Sequence, residues 1–160
     1  MKNHHAYILG IISSLSQNQI FAEADLSGSS ICPSINGATV FYRHPKENGI
    51  FVVSTVFGLP DNDRICSYEM HVRGGHFPSR LAYNESLNNL ARGFSRDMLT
   101  LPDIRGNGGF AFSVFYTEEI AGCDLLGRTV SIFPKTASRL AHEEALACGL
   151  IMPPGSDTSH

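Results

Sequence analysis

The sequence predicts an all-β fold, a Greek-key β-sandwich or flattened barrel of about eight antiparallel strands. Three observations carry this. Short runs rich in Val, Ile, Phe, Tyr and Thr recur along the chain. Turn residues separate them, among 15 Gly and 8 Pro. No internal repeat, heptad or low-complexity tract interrupts the pattern.

The elements follow in order. Gln19–Leu26 (QIFAEADL) reads as a first strand, and Asn36-Gly37 as a turn. Ala38–Arg43 (ATVFYR) is a second strand. His44–Gly49 is a hairpin loop, with Asn48-Gly49 tolerating positive φ. Ile50–Phe57 (IFVVSTVF) is the strongest strand pattern in the chain. Gly58–Asp63 is a loop, and Cys66–Val72 the next strand. From Arg73 to Leu101 the alternation dissolves into a polar segment, with a helical turn or two expected at Glu85–Ala91. Strands return at Gly109–Tyr116 after the turn Arg105–Gly108, then at Thr129–Phe133 and Leu146–Met152. Glu118–Leu126 is a connection, and Lys135–Glu144 a short helix or a loop. The organisation expected is an N-terminal extension at 1–18, one domain at 19–152 and a tail at 153–160.

Composition bounds the function. At 160 residues and 42% hydrophobic, the chain can bury a sizeable core. The net charge of −3 and the lack of a Lys/Arg cluster argue against nucleic acid as a partner. The apolar run Ala6–Leu15 is too short for a bilayer, which needs about 20 residues, so no membrane partner is expected. That run follows Lys2 and precedes Ala22-Glu23-Ala24, so secretion is the alternative to a cytoplasmic location. Cys32, Cys66, Cys123 and Cys148 form no C-x-x-C pair, which argues against a zinc knuckle and favours reduced thiols.

The chemistry-bearing stretch is Ser67–Phe77, SYEMHVRGGHF. Glu69 and His71 are i, i+2 on a strand and share a face. Elsewhere, His4 and His5 read as a solvated tail, and His44 as an exposed loop residue. In Gly109–Tyr116, Phe110, Phe112 and Val114 share a face that suits core and interface.

Taken together, the motifs resemble the copper/zinc superoxide dismutases. The resemblance rests on Asn36–Phe41, Phe57-Gly58-Leu59-Pro60, Met70-His71-Val72, Gly75-His76-Phe77, Leu101–Ala111, Leu126–Ile132 and Leu146–Ile151, in that order over 19–152. It implies the family's sandwich, and it implies where the metal ligands would fall. The His-x-His pair falls on Glu69 and His71, the bridging His on His76, and the last copper His on Phe133. The zinc pattern His-x-Gly-Asp-Leu-Pro falls on Asp97–Pro102, so Asp97 stands for a His and Thr100 for the Asp. The third zinc His falls near Phe94. The substrate-guiding Arg falls on Ala145. The family's loop disulfide would tie Cys148 to a Cys shortly before His76, where Arg73-Gly74-Gly75 holds none and Cys66 is the nearest.

Two of four copper imidazoles remain, so the leading expectation is a catalytically degenerate binding or structural protein, as a homo-oligomer or with a protein partner. The other reading keeps an enzyme, a divergent metal-dependent dismutase or redox protein. Glu69, His71, His76 and Asp97 would then hold one divalent metal (Zn, Mn, Fe or Cu), with His142 as a further imidazole from the late loop. In the first reading Glu69 pairs with Arg73, Arg80 or Arg96, and the histidines are packed or hydrogen-bonded.

Overall fold

The computed structural model describes residues 20–44, 48–60, 67–85, 97–119, 124–135 and 145–155, with only the backbone at 97–98. Among the described residues, eight strands form one antiparallel sheet: β1 (Ile20–Gly28), β2 (Asn36–Arg43), β3 (Ile50–Phe57), β4 (Ser67–Arg73), β5 (Asp97–Arg105), β6 (Ala111–Thr117), β7 (Thr129–Pro134) and β8 (Ala147–Met152). Among the described residues one short helix, α1, spans Arg80–Glu85. The sheet order is β5-β4-β7-β8-β1-β2-β3-β6. Its two end strands, β5 and β6, approach each other, so the sheet nearly closes into a barrel. The expected all-β class and strand number are therefore observed.

Period-two alternation builds the inside. Ala22, Ala24 and Leu26 of β1, Phe41 of β2, Val52 and Val56 of β3, and Met70 and Val72 of β4 all point into one core. Val130 and Ile132 of β7 and Ala147 and Ile151 of β8 complete it. Two polar side chains inside satisfy each other, Thr39 Oγ1 and Ser54 Oγ at 3.0 Å.

β2 begins at Asn36, so the expected Asn36-Gly37 turn is strand instead. Gly37 is needed there for space: a Cβ would lie 2.1 Å from the Thr55 carbonyl oxygen of β3. β5 is a strand within a segment expected to be loop up to Leu101. It carries Pro102, which an end strand accepts because its outer N–H needs no partner. Its pairing with β4 shifts between Tyr68 and Met70, a bulge that breaks the apolar alternation. α1 starts at Arg80 and includes Glu85, the first residue of the helical turn expected at Glu85–Ala91; residues 86–91 are outside the described residues. The expected loop or helix at Lys135–Glu144 also falls outside them beyond Lys135, as do His4, His5, Cys66, Phe94, Arg96, Cys123 and His142.

Candidate functional site

Of the residues singled out in the sequence, Glu69 and His71 lie on the outer face of β4. That face is made by register. Glu69 stands opposite Phe133, His71 opposite Ser131, and Arg73 opposite Thr129. Ser131 in turn faces Cys148 of β8, and Thr129 faces Leu150. On the other side His71 faces Thr100 of β5, and Arg73 faces Asp97. Directly opposed residues share a face, so Thr100, His71, Ser131 and Cys148 form one row across four strands.

The chain after β4 folds back over the β8 side of this face. Ser79 caps α1, its Oγ accepting from the Ala82 amide at 3.1 Å. The helix then seats Tyr83 on β8, where the phenol donates to Cys148 Sγ at 3.3 Å. Tyr83, Cys148 and Leu150, with Phe77 and Met152, form a second apolar cluster outside the barrel. The Phe77 and Tyr83 rings meet edge to face at 5.8 Å.

The segment is fixed at its start as well. The Phe77 amide donates to the Gly127 carbonyl at 2.8 Å, and Arg128 donates from Nη1 to the Gly74 carbonyl. Gly127 has φ +84° and lies against the His76 ring. A Cβ there would meet His76 Nε2 at 2.6 Å and the Phe77 oxygen at 2.8 Å.

His71 is 6% exposed, and both its ring nitrogens face protein groups. Nδ1 lies 3.4 Å from Thr100 Oγ1, and Nε2 lies 3.9 Å from Glu69 Oε2. The first is hydrogen-bond distance; the second is a looser ion-pair separation. The His71 ring also meets Phe133 edge-on at 5.8 Å between centroids. The Arg73 guanidinium stands over the same Phe133 ring, 5.3 Å from its centre. Phe133 is 1% exposed and Arg73 2%.

Burial sets the protonation of the latch. It pushes the Tyr83 phenol well above its ordinary value, and the adjoining Cys148 adds to this. It also raises the Cys148 thiol, against the lowering influence of the Tyr83 hydroxyl and the Arg73 charge. Both groups are thus neutral at physiological pH.

Of the four residues considered for a metal, the structure brings Glu69 and His71 together. His76 is exposed and packs on Gly127. The Asp97 backbone lies opposite Arg73, and its side chain is outside the described residues. Among the described residues no three His, Cys, Asp or Glu side chains converge as metal ligands do. Cys148 is a free buried thiol, as is Cys32. The sequence reading missed Tyr83, Ser131 and Thr129, which complete this face. The alternation of Thr129 and Ser131 with Val130 and Ile132 could have revealed that β7 carries two hydroxyls outward.

No protein-family model matches the chain, and no curated protein matches it. Among the described residues, no helix is long and apolar enough to cross a membrane.

Proposed function

We propose that the chain is a superoxide dismutase-like sandwich whose copper and zinc positions are degenerate, and that it works as a binding or structural protein. The Phe133 ring carries this reading. On the resemblance it stands in the place of the last copper imidazole, and it is buried in contact with His71 and Arg73. A phenyl ring offers a metal no lone pair. The neighbouring buried guanidinium repels a cation, more strongly where water is excluded.

Two further residues support it. Glu69 stands in the place of a second imidazole and turns its carboxylate toward His71. Ala145, fully buried, presents a methyl group where the resemblance expects the guanidinium that draws in superoxide. The residues present do not fit the family's copper, so no dismutation step runs through it.

The test is metal stoichiometry. The chain is dialysed against copper and zinc, freed of loosely held ions and assayed by elemental analysis. The expected result is far less than one metal per chain, with no dismutase activity. About one tightly held metal per chain, lost in a His71→Ala/His76→Ala double variant, overturns the reading. Glu69, His71, His76 and Asp97 would then be a working site.

A further inference from the structure

The strand order leaves two edges, β5 and β6, and among the described residues no ladder joins them. An edge strand presents backbone donors and acceptors that can take up another strand. β5 is guarded against this. It carries Pro102 and the charged residues Asp97, Asp103 and Arg105, and Asp103 pairs with Lys135. Proline and charge are the usual means of blocking an edge. β6 has neither. Its seven residues, Ala111–Thr117 (AFSVFYT), include no charge, no proline and no glycine. Among the described residues, 112–115 make no backbone hydrogen bond beyond the β3 ladder.

The strand also complements itself. Val52 and Val56 of β3 point into the core and stand opposite Phe115 and Ala111. Phe112, Val114 and Tyr116 therefore point outward. Two copies of β6 laid antiparallel about a twofold axis at Val114 place every residue of one strand opposite a residue of the other. Phe112 meets Tyr116 of the second copy, Val114 meets Val114, and Ser113 meets Phe115. Outward side chains meet outward ones, and a slip of one residue would break that match. Aromatic and β-branched cross-strand pairs are favourable, and no like charges come face to face. The Tyr116 ring is already held by Phe51 and His44, and its hydroxyl donates to Glu118 at 2.8 Å, so it offers a fixed surface to Phe112.

We propose that β6 pairs edge to edge with β6 of a second copy of the chain, joining two sheets into one. Each copy spends its unguarded edge in this pairing. The joined sheet then ends in two guarded β5 strands, so the assembly closes as a dimer rather than growing. The inference rests on the reading of the chain as a binding or structural protein and names its partner; the metal measurement tests that reading separately, through a different observable.

The test places a cysteine at the axis. In Val114→Cys the two copies of residue 114 lie about 4.5–5.5 Å apart between Cα atoms. A disulfide spans that separation. Mild oxidation of the full chain with diamide should convert most of it to a covalent dimer, joined at residue 114 as read by mass spectrometry. Thr55→Cys, on the outer face of β3, should stay unlinked, because the two copies of β3 lie three strand spacings apart, about 14 Å. Wild type under the same oxidant controls for the chain's own four cysteines. Val114→Lys sets like charges opposite each other and should weaken dimerisation about fivefold or more in sedimentation equilibrium. Hydrogen exchange of wild type needs no variant: amides among residues 112–115 should gain protection as protein concentration rises. A chain that stays monomeric overturns the proposal. So does linking at Thr55→Cys as complete as at Val114→Cys, which means packing face to face. Exchange at 112–115 that ignores concentration overturns it as well.

Discussion

The Tyr83–Cys148 contact is where a single pair of side chains sets a property of the whole chain. Both groups have folded-state values raised above those of the unfolded chain, chiefly by burial. The unfolded chain therefore releases these protons first as pH rises, and stability falls with pH. The contribution is fully present below about pH 8.5, the ordinary value for a thiol. It declines above that, more steeply past about pH 10 as the unfolded phenol also ionises. Each group supplies a slope of at most about 1.4 kcal/mol per pH unit. Urea unfolding at pH 7, 9 and 10 should show this decline. Cys148→Ser should flatten the part between about pH 8.5 and 10, since serine does not ionise there. An unchanged slope would mean that Cys148 is already ionised or accessible in the folded chain.

At the scale of elements, Gly127 is one of the residues that hold the segment after β4. Gly127→Ala combines a positive φ with a Cβ that collides with His76 and with the Phe77 carbonyl. It should cost about 1–3 kcal/mol and loosen the segment from the sheet. Hydrogen exchange reads this directly: the Phe77 and Tyr83 amides should lose protection, while Val52 and Val56 of β3 keep theirs. Equal loss everywhere would mean that the segment unfolds only with the barrel.

The same elements show what the sequence reveals. β3 matches its sequence reading residue for residue, because a run rich in β-branched and aromatic residues has no competing pattern. β5 was hidden because Leu99 and Leu101 alternate correctly, but Pro102 and the bulge then break the period before Ile104. α1 was hidden because it is six residues long and buries only Tyr83, too little to show a helical period. The pairing of Glu69 with His71 was legible from their i, i+2 spacing. The polar layer with Ser131 and Thr129 was not, because it exists only once β7 takes its place between β4 and β8.

At the scale of the molecule, the outer surface is not uniformly polar. Phe57, Phe110 and Phe112 are 47%, 40% and 48% exposed, and the first two rings lie 5.2 Å apart. Their place at β3 and β6 makes a contiguous aromatic patch toward one end of the sheet order. The homo-oligomer expected from the sequence should form through this patch. Sedimentation equilibrium should show a dimer that Phe57→Ser/Phe110→Ser/Phe112→Ser converts to monomer with little change in melting temperature. A wild type that stays monomeric at high concentration would remove self-association from the proposal. The strand order has one further consequence, in time. β1 lies between β2 and β8, and Gly28 waits for Ala147 as its partner. On the ribosome β1 can pair on one side only until β8 has been made. At the usual pace of synthesis that delay is on the order of ten seconds. Throughout it, one side of β1 has backbone groups open to any strand that arrives first, so a chaperone acting on this chain would be needed there and during that interval.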